Sequence, residues 1–265
     1  MQNIEMKNVN LVKRGRPSKQ SEVKAFDPSS IQLLRGSDLK FNDSLFQPMK
    51  TNSEVDVILS TEGGVMPGTN MVLVGGPGSG KSTVVLDMLS NFTRQGYKCL
   101  FVSGEMDEVG YYKYCKRLPK FACVQTLFLK NYAETVKETL EYVFAQGYDI
   151  IAVDSIAEVI EMVKDNYKTT EGAAESWFLN LQDQHKKGNN KNNYYTTFIN
   201  IQQVTKQGDF AGSNRLKHMT DAMAHVSRIK DSNARSIQFS KNRDCDNDMT
   251  VNFVIQRDTI HYSYE

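Results

Sequence analysis

Residues 75–82 read Gly75-Gly76-Pro77-Gly78-Ser79-Gly80-Lys81-Ser82, and this stretch decides the fold. It matches G-x-x-x-x-G-K-[ST] at every fixed position. Glycines let a loop wrap an anion with its own N–H groups, and the N-terminus of a following helix adds partial positive charge. The flanks supply the required context. Met71-Val72-Leu73-Val74 is a short apolar run that reads as a buried strand. Residues 81–95 read as a helix with Val84, Val85, Met88, Leu89 and Phe92 on its apolar side, stopped by Gly96. The expected ligand is ATP with Mg²⁺. Lys81 would contact the β- and γ-phosphates, Ser82 would ligate Mg²⁺, and Thr83 would add a contact near the α-phosphate.

Outward from this loop, strand and helix patterns alternate. Strands are expected at 98–103, 124–129, 149–153 and 195–201, and helices at 133–146 and 171–187. After a loop around 205–215, four further strands are expected near 224–229, 235–241, 249–255 and 259–263. Alternating units followed by a run of strands predict an α/β fold, a mostly parallel central sheet with antiparallel C-terminal strands. No internal repeat is visible.

A P-loop enzyme also needs a carboxylate for the metal, normally closing an apolar strand beside the loop. Ile150-Ile151-Ala152-Val153-Asp154 has that form, and Asp154 would stand at the carboxyl end of a central strand, where open α/β sheets bind ligands. A turn or helix-cap aspartate before Ser155 would have the same local pattern. Hydrolysis needs a further group to orient or deprotonate water. Glu105, at the end of 98–105, is a candidate, with Asp107 and Glu108 close by.

Composition narrows the class. In 265 residues, 40% are apolar and 24% charged, with a net charge of +1, so bulk charge does not hold this chain on nucleic acid and any such binding needs local patches. The four cysteines, Cys99, Cys115, Cys123 and Cys245, form no C-x-x-C pair, which argues against a zinc ribbon. No 18-residue apolar run and no secretory start are present, so a cytoplasmic protein without a membrane segment is expected, in a host cytoplasm if the source is a phage. The first 25 residues carry six basic side chains against two acidic ones, and 1–30 is expected to be a flexible basic arm ahead of an ATPase domain at 31–265. Arg14-Gly15-Arg16-Pro17 in that arm looks like the core of an AT-hook, whose arginines suit a narrow minor groove. Non-specific phosphate contact by Arg14 and Arg16, or a merely solvated tail, fits the same residues.

Several stretches together resemble the RecA-type ATPase core of the bacterial RadA (Sms) recombination proteins. They are Gly63-Gly64-Val65-Met66-Pro67-Gly68, the P-loop, Phe101-Val102-Ser103-Gly104-Glu105, Val153-Asp154-Ser155-Ile156, Val204-Thr205-Lys206 with Ala211-Gly212, His218-Met219 and Asp221, and Lys241-Asn242-Arg243. The resemblance runs over about 55–262. It implies that Glu105 is the catalytic glutamate and that Gln203 senses the γ-phosphate. It implies DNA-facing loops near 158–172 and 205–215, bringing in Lys164, Lys168, Lys206 and Arg215. It also implies that Lys241 and Arg243 reach a neighbouring subunit's ATP, hence a homo-oligomer, as a hexameric ring or a filament. Two family features have no counterpart in these residues, the four-cysteine zinc ribbon and the protease-like domain. The KNRFG signature reads KNRDC at 241–245. These departures bear on the family's branch-migration role more than on its ATPase fold. A compact core of this kind also resembles stand-alone RecA-like proteins of phages.

The implied activity is a DNA-dependent ATPase acting in recombination, repair or replication, on single-stranded DNA and with other proteins of those processes, a helicase or branch-migration motor being one form. The alternative is a nucleotide-gated mediator or annealing factor with little turnover. A small-molecule kinase fits less well, because no arginine-rich lid segment follows the core.

Overall fold

The computed structural model describes residues 27–190, 193–204, 213–246 and 249–264. Arg14, Arg16 and Lys206 lie outside the described residues. Two units divide at Lys40/Phe41. In the first, 27–40, two short 3₁₀ turns (Pro28–Ser30 and Gly36–Asp38) join extended backbone, and Ile31, Leu33, Leu34 and Leu39 are exposed.

The second unit holds one nine-stranded sheet among the described residues. In chain order it runs through a short helix α1 (Asp56–Leu59), β1 (Asn70–Gly75), α2 (Lys81–Arg94), β2 (Cys99–Ser103), α3 (Glu108–Arg117), β3 (Gln125–Phe128), α4 (Val136–Phe144), β4 (Ile150–Asp154), α5 (Ile156–Tyr167), α6 (Glu171–Lys186), β5 (Thr197–Gln203), α7 (Asn214–Met219), β6 (Ala222–Arg228), β7 (Ala234–Asn242), β8 (Thr250–Ile255) and β9 (Ile260–Tyr264). The strand order is β3-β2-β4-β5-β1-β6-β7-β8-β9. The pairs from β3 to β6 are parallel, and those from β6 to β9 antiparallel. The expected fold class is the observed one.

The pleat explains why β1 is apolar throughout. Met71 and Leu73 enter the core layer beneath α2, with Val84, Val85, Leu89 and Phe92, while Val72 and Val74 enter the opposite layer beneath α4, α5 and α6, with Phe144, Val159 and Phe178. A strand buried on both faces has no polar side to alternate.

Besides the short α1 and α7, two longer helices were not expected from the sequence. Residues 108–117 form α3, capped by the Asp107 carboxylate, which accepts from Gly110 N at 2.7 Å. The other corrects an expectation: most of the presumed DNA loop at 158–172 is α5 and the start of α6. Ile156, Val159 and Val163 recur at helical spacing and are fully buried, which holds the segment as a helix. Lys164 sits on its last turn, paired with Glu161 at 2.8 Å, and Lys168 is the left-handed residue that ends it.

Below the sheet's centre, three buried amides close a ring. Asn70 Nδ2 donates to Gln182 Oε1 (3.1 Å), Gln182 Nε2 to Asn200 Oδ1 (2.8 Å), and Asn200 Nδ2 to Asn70 Oδ1 (2.9 Å). Every amide nitrogen and oxygen of the three has a partner in the ring, which ties β1, β5 and α6 together. Gln182→Leu should therefore cost about 2–3 kcal/mol, because two amides lose partners in a dry site. Replacing all three residues with apolar ones should cost less than that single change. Urea unfolding midpoints of the two variants check the order.

Candidate nucleotide-binding site

The carboxyl ends of β1, β2, β4 and β5 meet on one side of the sheet, and a cleft of about 490 Å³ opens there. Its floor is the loop between β1 and α2. Gly78 and Gly80 have φ of +69° and +104°, and that left-handed backbone turns the chain tightly enough to enclose an anion. Gly75 is needed for a different reason, since a Cβ there would come within 2.4 Å of the Val226 carbonyl oxygen. Gly76, Pro77 and Ser79 complete the loop. The Ser79 Oγ is buried without a hydrogen-bond partner among the described residues.

The Lys81 ammonium donates to the carbonyls of Gly75 (2.7 Å) and Gly76 (3.0 Å), curling back over its own loop. Burial lowers its pKa, against the opposing pull of Asp154 and Glu105. Ser82 Oγ donates to Asp154 Oδ2 at 2.6 Å. Burial pushes the Asp154 carboxyl up to about 6, the Ser82 hydrogen bond works the other way, and the negative charge of Glu105 adds to the rise. Glu105 follows β2. Its backbone N–H and that of Gly104 donate to the Asp154 carbonyl at 3.2 and 2.7 Å, which ties the end of β2 to the end of β4. A Cβ at Gly104 would come within 2.9 Å of the Glu158 side chain. From β5, Gln203 Nε2 donates to Glu105 Oε1 at 3.2 Å.

The structure thus brings Lys81, Ser82, Thr83, Glu105, Asp154 and Gln203 to one cleft. The two acids weighed beside Glu105 lie elsewhere in role: Asp107 caps α3, and Glu108 accepts from Asn131. The residues fit a magnesium nucleotide. The loop is an anion nest beside a helix N-terminus, its buried Ser79 hydroxyl lacks a partner, and the touching oxygens of Ser82 and Asp154 are the hard donors that Mg²⁺ takes.

Lys241 and Arg243 do not reach this cleft within the chain. β7 runs antiparallel to β6, so Arg235 pairs with Arg228 at the loop end and Asn242 pairs with Ala222 at the far end. At that far end Lys241 Nζ donates to the carbonyls of Lys217, His218 and Thr220, capping α7. Arg243 is exposed and donates to Asp221 Oδ1 at 2.9 Å. Arg215, on α7, is exposed and bonds Ser176 and Asn180 of α6. Three arginines that the sequence reading missed stand at the cleft instead. Arg117 and Arg235 line it, and Arg228 bonds the Gly78 carbonyl. No local motif marks them, because only the register of β6 and β7 carries the last two to the loop.

Comparison with known proteins agrees with this geometry. The family model "ATPase: KaiC" matches residues 49–120. The DNA repair protein RadA of Campylobacter jejuni is 30% identical over 196 residues, 72% of this chain and 41% of the relative. RadA of Chlamydia muridarum is 30% identical over 204 residues, 75% of this chain and 42% of the relative. The chain therefore spans about two fifths of the length of these curated relatives. Among solved structures, the RadB recombinase superposes with a TM-score of 0.58 at 16% identity, over 80% of this chain and 98% of that one. A KaiC-like protein of Pyrococcus horikoshii reaches 0.60 at 16% identity, over 82% and 99%. Both share the fold. Among the described residues no helix is long and apolar enough to cross a membrane.

The raised carboxyl sets a pH test. Asp154 ionises near 3.8 when unfolded and near 6 in the fold, so its charge costs stability above about 6, and the cost disappears as the pH falls toward 3.8. Asp154→Asn should melt higher than the wild type in nucleotide-free buffer at neutral pH. Differential scanning calorimetry from neutral to acid pH should show that gap closing.

Proposed function

We propose that this chain, which carries a RecA-family ATPase core of the RadA kind, hydrolyses ATP at the cleft and couples that turnover to DNA in recombination, repair or replication. One observation carries the reading. A phosphate loop, a Ser–Asp pair fit for Mg²⁺, and a glutamate held by a glutamine converge on one cleft at the carboxyl ends of parallel strands.

In this reading the loop N–H groups and Lys81 hold the phosphates, and Thr83 follows on the α-phosphate side. Mg²⁺, held by Ser82 and by Asp154, supplies charge neutralisation on the transferring phosphoryl group when bound. Glu105 orients the attacking water and takes its proton. Gln203 positions the Glu105 carboxylate and reads the γ-phosphate. Lys241 and Arg243 stand at the sheet end remote from their own loop, so any nucleotide they meet belongs to another copy. This favours a homo-oligomer, a ring or a filament. Arg243 is the better finger, because Lys241 is engaged on its own chain's carbonyls. DNA, single-stranded in the first instance, would be held by Lys206 and Arg215 around 205–215, with Lys164, Lys168 and the arginines Arg14 and Arg16 as further contacts.

The nucleotide-gated mediator remains as a second reading, and the Asp244-Cys245 that stands in place of the family's Phe-Gly favours it.

Phosphate release measured with and without single-stranded DNA separates the two. DNA should raise the rate. Glu105→Gln should lower turnover about 100-fold or more while keeping nucleotide binding, since a general base contributes on that scale. Lys81→Ala should lose both. Negligible hydrolysis together with ATP-dependent DNA binding would select the mediator. A second test concerns the neighbour. Arg243→Ala should slow turnover about 10³-fold with little change in nucleotide affinity, and mixing it with Lys81→Ala protein should restore part of the rate, since intact half-sites then meet.

A further inference from the structure

Three guanidinium groups stand at the cleft or its phosphate loop, and none has an acidic partner among the described residues. Two of them, Arg228 on β6 and Arg235 on β7, face each other directly across the antiparallel pair. Like charges at opposed positions destabilise a sheet, so fold stability alone does not account for them. The third is Arg117, on α3.

Their contacts with the phosphate loop differ. Arg228 places a fork on a single atom, with Nε at 3.3 Å and Nη2 at 3.0 Å from the Gly78 carbonyl oxygen. That bond ties the Gly78 carbonyl of the loop to β6. Arg235 lies against the loop's next glycine, Gly80. A Cβ added to Gly80 would come within 3.1 Å of Arg235 Cδ and 3.3 Å of its Nε. Among the described residues the buried Nε has no hydrogen-bond partner, and Nη1 donates only to the Asn233 carbonyl at 3.2 Å. Burial, then the charges of Arg228 and Arg117, lower its pKa, the sign of a cation held among cations.

We infer that Arg235 is a nucleotide-binding residue that contacts the phosphate chain from within the same subunit, and that Arg228 is a positioning residue for the loop. The inference rests on the nucleotide reading above and adds a contact from the C-terminal strands to it. The chemistry selects a polyanion, since three neighbouring guanidiniums beside Lys81 are neutralised only by a ligand with several negative charges. The location selects which part of it. Gly80 ends the loop whose N–H groups cradle the α- and β-phosphates, while Glu105 and Gln203 mark the γ-phosphate side. Arg235 therefore addresses charge that ADP and ATP share. It should strengthen both and retain product, without entering the bond-breaking step.

The test uses the full chain in three forms, wild type, Arg235→Met and Arg235→Lys. Isothermal titration calorimetry with ATP and with ADP gives the affinities, and thermal melting without nucleotide gives the stability. Arg235→Met should bind both nucleotides about 10- to 100-fold more weakly, the range for losing a charge-assisted bond to phosphate. Its nucleotide-free melting temperature should stay level or rise, because a repelling charge is gone. Arg235→Lys, which keeps the charge and loses the fork, should fall between. Unchanged affinity in Arg235→Met overturns the inference. So does a lowered melting temperature accompanied by weaker binding, which would make Arg235 a structural residue. If the wild type itself binds neither ATP nor ADP, the nucleotide reading fails, and this is seen before any variant is compared.

Discussion

The hydrogen bond from Ser82 Oγ to Asp154 Oδ2, 2.6 Å long, is the contact on which the rest of the site depends. It joins the first turn of α2 to the last residue of β4, two strands away from β1 in the sheet. For those atoms to meet, β1, β5 and β4 must run parallel and end level, and the register delivers this: Gly75 pairs with Gln203, and Asp154 with Ile201. The same alignment brings Glu105 in from β2, because its N–H group and that of Gly104 bond the Asp154 carbonyl. The site is thus a property of strand ends. A one-residue slip in any of these strands would reverse its side chains between the two core layers, so the packing that stabilises the sheet also fixes the catalytic geometry.

What the sequence made legible follows the range of each interaction. The P-loop carries its own backbone conformation in its glycines, so eight consecutive residues suffice to read it. Asp154 is nearly as local, an apolar run closed by an acid, and α2 announces itself by spacing. Glu105 was one of three acids on local pattern. The choice rests on Asp107 being spent on the α3 cap and Glu108 on Asn131, contacts made only once α3 exists. The helix α5 went unread because the resemblance labelled its residues a loop, although Ile156, Val159 and Val163 already had helical spacing. Arg228 and Arg235 were unreadable in principle. Each is a polar residue on an ordinary strand, and only the β6–β7 pairing sets them at the loop.

One run of contacts links the far end of the sheet to the strand that carries the phosphate loop. Arg243 and Lys186 both hold Asp221, and Asp221 Oδ2 accepts from the backbone N–H of Asn70, the first residue of β1. Five residues later the same strand becomes the phosphate loop. Beside this contact the ring of Asn70, Gln182 and Asn200 ties β1 to β5, and β5 ends in Gln203. Arg243 is thus linked through Asp221 to the start of the strand that carries the phosphate site, by contacts that are buried or partly buried.

Lys241 and Arg243 stand two residues apart on one strand end, yet their surroundings give them different work. Lys241 gathers the last carbonyls of α7, where a positive charge offsets both the unpaired acceptors and the negative end of the helix. Drawing it away would expose those carbonyls. Arg243 has one carboxylate bond and a largely exposed guanidinium, so it can exchange Asp221 for another anion at little cost. The lysine holds the helix, and the arginine remains available to a partner's charge.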